Sequence, residues 1–318
     1  MRIGSSFSEF SEFLIAVPQG SVLRPILFNI FINDLLLVLS ESDICNFADD
    51  NTVHVCHPTF EGVVDCLKRD VTTVINWFDA NGMVVNPSKF QVLFPGIERE
   101  ISLDLGSCTV SSSKEVKLLG VILDSQLSFY PHIQNICKTV LSKTKALLRI
   151  RSLLTQEQAD TIYHTCLMSY FNYCPLVWMF SSKMAHNVIN ATHRRALRAR
   201  LNTFSGDLTE LLERTDTISI HTKNLRLMMI EVYKSVNQLN PKIMWETFHE
   251  KVIPYRLRQG QTLLSIHANK ARTTNTFDFR ASMAWNALPR YNKDMESLPK
   301  FKSALSKSEI YCSCKHCV

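Results

Sequence analysis

Asp43-Ile44-Cys45-Asn46-Phe47-Ala48-Asp49-Asp50-Asn51-Thr52-Val53-His54-Val55-Cys56 decides the reading of this chain. Two short strand-like runs, 43–48 and 51–56, meet at two adjacent carboxylates. Along a straight strand, neighbouring side chains point to opposite faces. Asp49 and Asp50 therefore serve one site only if the chain turns there, and a hairpin tip is predicted. Hard carboxylate oxygens suit Mg2+, and without a cation the two like charges repel. The pair is a candidate metal site for phosphoryl transfer. A solvated polar turn has the same composition, because Asp and Asn are common turn residues.

On the upstream side, residues 1–16 read as short strand-like segments. Val17-Pro18-Gln19-Gly20-Ser21 reads as a turn, with Pro18 disfavouring helix before it and Gly20 open to unusual backbone angles. A helix is expected from about Leu23 to Leu39, with Pro25 in its first turn. Its apolar run, Ile26 to Leu39, is too short and too polar to span a bilayer, so a buried helix is expected. Downstream, Val63, Val64, Leu67, Val71, Val74, Ile75 and Phe78 recur at helical spacing and predict an amphipathic helix over 60–80. Asn81-Gly82 is its stop. Residues 83–94, broken at Asn86-Pro87, and 116–123 read as strands. Beyond Pro131 the pattern turns helical, over 132–154, 156–180 and 186–201, and stays so to Ser308. Met228, Met229 and Trp178 read as core. The fold class is α+β, strands and helices first and helices after.

The 318 residues correspond to about two domains, and 46% hydrophobic residues exclude a disordered chain. A net charge of +6 is compatible with a polyanionic partner. Ten cysteines without a framework pattern, and no signal peptide, point to a reducing intracellular setting, nuclear or cytoplasmic, with no secretion and no membrane span. Cys312, Cys314, His316 and Cys317 lie too close together for the two separated ligand pairs of a zinc site, so a frayed tail is expected.

The order of these motifs resembles the reverse transcriptases of non-LTR retrotransposons, in particular the jockey-like group. Val17-Pro18-Gln19-Gly20-Ser21-Val22-Leu23, Pro25 and Leu27-Phe28-Asn29-Ile30-Phe31-Ile32-Asn33-Asp34-Leu35 are similar to the family's helix beside the incoming nucleotide. Phe47-Ala48-Asp49-Asp50 resembles its catalytic hairpin. Gly82-Met83 with Asn86-Pro87-Ser88-Lys89 resembles the next palm motif, and Leu119-Gly120-Val121-Ile122-Leu123-Asp124 the strand by the primer grip. Phe279-Arg280, Trp285-Asn286-Ala287-Leu288-Pro289 and Phe301-Lys302 resemble the C-terminal region of such element-encoded proteins.

The resemblance implies a partial palm of antiparallel strands with packed helices over 1–128, a helical thumb-like region over 129–205 and a helical C-terminal region over 206–318. It implies RNA-directed DNA polymerisation, with an RNA template, a DNA primer, deoxynucleoside triphosphates and two Mg2+ ions. Asp49 is then the direct metal ligand, with Asp50 beside it. Gln19, Gly20 and Ser21 border the nucleotide and template, and Lys89 supplies positive charge to the leaving pyrophosphate. The basic stretch with Arg194, Arg195 and Arg198, flanked by His193 and Arg200, is a candidate for backbone phosphate contacts. Four arginines in seven residues cannot share one helix face, and a solvated face is the alternative.

The chain departs from the family pattern in three ways. It has no counterpart of the catalytic aspartate on an upstream palm strand, nor of the fingers. Ala16 and Arg24 stand where the family has glycine. None of Asp34, Asp43 and Asp124 occupies a matching position. The resemblance with these departures implies an N-terminally truncated fragment, inactive alone. The alternative is a non-enzymatic nucleic-acid-binding remnant of the element.

Overall fold

The computed structural model describes residues 2–3, 5–7, 20–248, 264, 276–308 and 310. It is a mixture of helices and small antiparallel strand pairs, as the α+β reading expects. Strands β1 (Arg2–Ile3) and β2 (Ser6–Phe7) form the first pair. Two compact units divide the chain: residues 1–94 with 98–114, and residues 95–97 with 115–318.

In the first unit, helix α1 (Arg24–Ile32) carries Pro25 in its first turn and runs into a 3-10 turn, Asn33–Leu37. The hairpin β3 (Asp43–Phe47) and β4 (Asp50–His54) follows. Helix α2 (Phe60–Ala80) has the predicted bounds. Thr59 Oγ1 caps its start by accepting from the Gly62 amide at 3.2 Å. At its end Asn81 Nδ2 donates to the Trp77 carbonyl, and Gly82 takes φ +71°. Ile32 and Leu35 pack on Val74 and Phe78, with Ile44 and Val53 of the hairpin half-buried against them.

Two expectations for this unit are corrected. The run Ile26 to Leu39 is not a buried helix, because its cluster covers only the side bearing Phe28, Ile32 and Leu35; Leu23, Ile26, Ile30 and Leu37 are exposed. Residues 83–94 form no strand. Asn86 Oδ1 accepts from the Ser88 amide and Pro87 starts a one-turn 3-10 segment, Pro87–Lys89, leaving only a single parallel bridge from Val92 to Ser112. An unpredicted hairpin, β5 (Ser102–Asp104) with β6 (Thr109–Ser111), lies beyond it.

The second unit opens with a hairpin where one strand was expected over 116–123. Strands β7 (Glu115–Leu118) and β8 (Val121–Asp124) are joined by Leu119 at φ 45° and Gly120 at φ 87°. Two left-handed residues match the right-handed twist of the flanking strands. The Tyr173 hydroxyl donates to the Leu119 carbonyl and holds this turn.

Helices follow: α3 (Tyr130–Ile150), α4 (Gln156–Ile162), α5 (Met168–Asn172), α6 (Pro175–Trp178) and α7 (Lys183–Leu201). The expected helix 156–180 is interrupted. A π-helical turn spans Tyr163–Leu167, and Tyr173 is extended ahead of Pro175, which restarts the helix as α6. Ile133, Ile136, Val140 and Leu147 of α3 share a core with Ile189, Ala196 and Leu197 of α7. Helix α8 (Leu208–Arg214) leads to α9 (Ile220–Val236). The remaining helices are α10 (Lys242–Trp245), α11 (Phe277–Ala287), α12 (Arg290–Lys293) and α13 (Leu298–Ser306). Met228, Met229 and Trp178 are buried, as expected of core residues, and Trp285 and Phe301 join the methionines in a second core. No helix among the described residues is long and apolar enough to cross a membrane.

Candidate active site

The β3–β4 register pairs Phe47 with Asp50 and Asn46 with Asn51, leaving Ala48 and Asp49 as a two-residue loop. Ala48 sits at φ 53°, a left-handed conformation in which its Cβ is crowded. This reversal puts Asp49 on the tip and Asp50 at the first position of β4. Both are exposed, and among the described residues neither carboxylate carries an ion pair or a hydrogen bond. Asn51 Nδ2 donates to the Asp49 carbonyl at 3.3 Å and braces the turn. Asp43 lies at the opposite end of the hairpin, 3.6 Å from His54 Nε2.

No cluster of three or more His, Cys, Asp or Glu side chains fit to hold one ion is present among the described residues. Mg2+ takes one or two carboxylates and completes its octahedron with water and substrate phosphates, so an unencumbered Asp49–Asp50 pair fits it as a partial ligand set. Asp124, in the second unit, is buried and accepts from the Ser128 and Phe129 amides at 3.1 and 2.8 Å. Asp34 is exposed on the 3-10 turn after α1.

Gln19 lies outside the described residues, as do Cys312, Cys314, His316 and Cys317. Gly20 takes φ 83°, and Ser21 Oγ accepts from the Leu23 amide at 3.2 Å, so these two form the turn into α1. Lys89 ends the 3-10 segment with its side chain exposed.

The basic stretch on α7 diverges, as its spacing requires. Arg195 is exposed, whereas Arg198 donates through Nε and Nη2 to the Gly206 carbonyl. Arg194 is half-buried in an open cleft of about 260 Å³ with Asn187, Asn190, Ala191 and Leu208. Arg200 is buried and bonded to Asp160. His193 is buried with its Nε2 2.8 Å from the Tyr163 hydroxyl. Burial, reinforced by the charge of Lys223, pushes the His193 imidazole down to about 4. The folded chain then binds this proton less readily than the unfolded chain, whose histidine titrates near 6.5. Stability is expected to fall as pH drops from about 6.5 towards 4. Thermal unfolding across that range checks it, and His193→Gln, which keeps a partner for Tyr163, flattens the slope.

One buried residue that holds the entry to the hairpin escaped the sequence reading. Asp70, buried on α2, accepts from Ser40 Oγ at 2.9 Å and from the Glu41 and Ser42 amides at 3.1 and 2.7 Å. It fixes the segment that enters β3. Its signal was an acid between Leu67 and Val74 on an otherwise apolar helical stripe.

Residues 5–123, which contain the hairpin, match the family model described as reverse transcriptase (RNA-dependent DNA polymerase). This segment is similar to the reverse-transcriptase family. Its relatives point to the non-LTR retrotransposon branch. The chain is 26% identical over 220 residues to the probable RNA-directed DNA polymerase from transposon BS of Drosophila melanogaster, covering 63% of this chain and 24% of that protein. It is 28% identical over 194 residues to the RNA-directed DNA polymerase from mobile element jockey of Drosophila funebris, covering 57% and 21%. It is 24% identical over 214 residues to the retrovirus-related Pol polyprotein from type-1 retrotransposable element R1 2 of Nasonia vitripennis, covering 62% and 52%. The chain thus spans about a quarter or less of the BS and jockey proteins. No solved structure matches it.

Proposed function

We propose that the chain is a palm, thumb and C-terminal part of a non-LTR retrotransposon RNA-directed DNA polymerase, and that Asp49 and Asp50 are its metal-binding carboxylates. The observation that carries this reading is the unpartnered carboxylate pair at an exposed hairpin tip, inside the segment that matches the family. Residues 1–128 are read as palm, 129–205 as thumb and 206–318 as the C-terminal region.

When bound, Mg2+ supplies charge stabilisation to the phosphate oxygens of a deoxynucleoside triphosphate and a primer 3′-hydroxyl. Asp49 is the direct ligand and Asp50 its neighbour. Gly20 and Ser21, with Gln19, shape the turn beside the nucleotide, and Lys89 offers a cation to the leaving pyrophosphate. Arg194 and Arg195 are the arginines left to meet template or primer phosphates, because Arg198 is engaged locally. Turnover on this reading needs a further carboxylate from outside the described residues.

Mn2+, used as a paramagnetic stand-in for Mg2+, tests the site by NMR. Selective broadening of the amides of residues 48–52, lost in Asp49→Asn, is expected; uniform broadening, or none, overturns the metal site. Primer extension on an RNA template separates the second claim. No incorporation by the chain alone is expected, and incorporation abolished by Asp49→Asn overturns the need for a further carboxylate.

A further inference from the structure

Three polar side chains of α7 line one open cleft of about 260 Å³: Asn187, Asn190 and Arg194, with Ala191 among them and Leu208 of α8 beyond. Offsets of three and four residues put the three in a row on one helix face. Among the described residues none of these side chains has a hydrogen-bond partner, and the Arg194 Nε is buried without an acceptor. An unmet buried donor is costly in the free protein, and a ligand that engages the guanidinium offsets that cost. The acids nearest Leu208 in sequence are occupied: Asp207 caps α8 by accepting from the Glu210 amide at 2.9 Å, and Glu210 lies 3.8 Å from Arg214. The loop from α7 to α8 is tied down by Arg198 on the Gly206 carbonyl, yet it leaves Phe204 90% exposed. Free arginines followed by an exposed aromatic are the composition of a surface on which unpaired bases stack.

The hydrogen-bonding groups of the cleft select among ligands. Each amide offers a donor and an acceptor, and the guanidinium donates only. A phosphate accepts only, so it leaves both amide oxygens idle and meets a single positive charge. Guanine presents along one edge two acceptors, N7 and O6, and then two donors, N1–H and the N2 amino group. That order matches Arg194, Asn190 and Asn187 as they succeed one another along α7. Cytosine has two adjacent acceptors but one donor group, and engages the arginine and one amide. Adenine and uracil have no two adjacent acceptors. We propose that this cleft holds an unpaired guanine base of a single-stranded nucleic acid. Arg194 donates to N7 and O6, and Asn190 and Asn187 accept from N1–H and the N2 amino group. Phe204 stacks a neighbouring base. Of the two arginines left for nucleic acid, Arg195, exposed and outside the cleft, suits a backbone phosphate, and Arg194 reads a base. The class of ligand rests on the polymerase reading; the choice of guanine rests on the cleft.

The test is fluorescence anisotropy of the full chain with short oligouridines, plain or carrying one central guanosine, adenosine or cytidine. The guanosine strand is expected to bind about twentyfold tighter than the others, and the deoxyribose strands to show the same preference. A preference confined to one sugar overturns readout through the base edge. A central 7-deazaguanosine, which lacks the N7 acceptor, is expected to lose about fivefold. Arg194→Lys keeps the charge and loses the two-point donor. It is expected to bring the guanosine strand within about threefold of the others while affinity for plain oligouridine holds. Phe204→Ala is expected to weaken every strand about tenfold with the preference intact, and no effect overturns its stacking role. Neither side chain is in a core, so circular dichroism of both variants should match the parent. Equal binding of all strands, a preference for another base, or a guanosine preference that survives Arg194→Lys overturns the guanine site and leaves the polymerase reading in place. A chain that binds no strand even at low salt overturns the site and the nucleic-acid contacts of that reading together.

Discussion

Asp160→Ala is expected to lower the stability of the helical second unit by about 2 kcal/mol, less than the loss of one partner from a fully buried ion pair, because Arg200 is buried but the Asp160 side chain is 33% exposed. Arg200, buried at the end of α7, donates from Nε to Asp160 Oδ1 at 2.7 Å and from Nη2 to Oδ2 at 3.1 Å. Its guanidinium lies 5.0 Å from the Tyr163 ring centre, and its Nη1 has no hydrogen-bond partner among the described residues. Without Asp160 the cation stays buried and its charge uncompensated. Arg200→Met removes that charge, keeps an apolar stem of similar length and leaves Asp160 a hydrated carboxylate; its cost is expected to be under about 1 kcal/mol. The hydrogen bond from Arg200 holds the Asp160 carboxyl below its ordinary value. The folded-state value is the lower one, so this stabilisation is complete above the unfolded carboxylate range and is lost as pH falls through the folded value. Urea unfolding of both variants decides the matter. Equal costs, or a costlier Arg200→Met, would show that the arginine is not held as a buried cation.

The same pair explains what was legible in the basic stretch. The spacing of Arg194, Arg195, Arg198 and Arg200 establishes that they diverge around α7. It carries no trace of Asp160, forty residues earlier, because ion pairs between helices leave no local pattern. Helix α2 was legible because a three- and four-residue apolar repeat and an Asn81-Gly82 stop agree, and the Thr59 cap seen in the structure adds to them. The hairpin at Asp49 and Asp50 was legible because polar turn residues separate two strand-like runs. The β7–β8 hairpin was not, since its turn begins with Leu119, an apolar residue in a left-handed conformation that reads as more strand. The β5–β6 hairpin does carry alternation, Ile101, Leu103 and Leu105 against Ser102 and Asp104, but over runs of three to five residues that are too short to stand out from the polar segment around them. For α1 the composition called for burial, but composition counts apolar residues without knowing how many sides a neighbour covers.

Asp70→Ala is expected to cost about 3 kcal/mol, felt chiefly in the hairpin that bears the carboxylate pair. Burial works to raise the Asp70 carboxyl, but hydrogen bonds from Ser42, the Glu41 amide and Ser40 outweigh it and take it down to about 2. Alanine leaves the Ser42 amide, 2.7 Å away in the native fold, buried without an acceptor. Asparagine is expected to restore little: its amide nitrogen would meet donors where a second carboxylate oxygen now accepts. With a folded value near 2 and an unfolded value near 4, the contribution is complete above about pH 4 and is lost as pH falls towards 2. The segment Ser40–Ser42 leads directly into β3, so its release loosens Asp43–His54 before it loosens α2. Hydrogen exchange separates this anchoring role from general destabilisation. The β3–β4 amides should exchange faster in Asp70→Ala while those of α3 and α7 are unchanged. Faster exchange spread evenly over both units, or confined to α2, would show that Asp70 stabilises its own helix and does not position the hairpin.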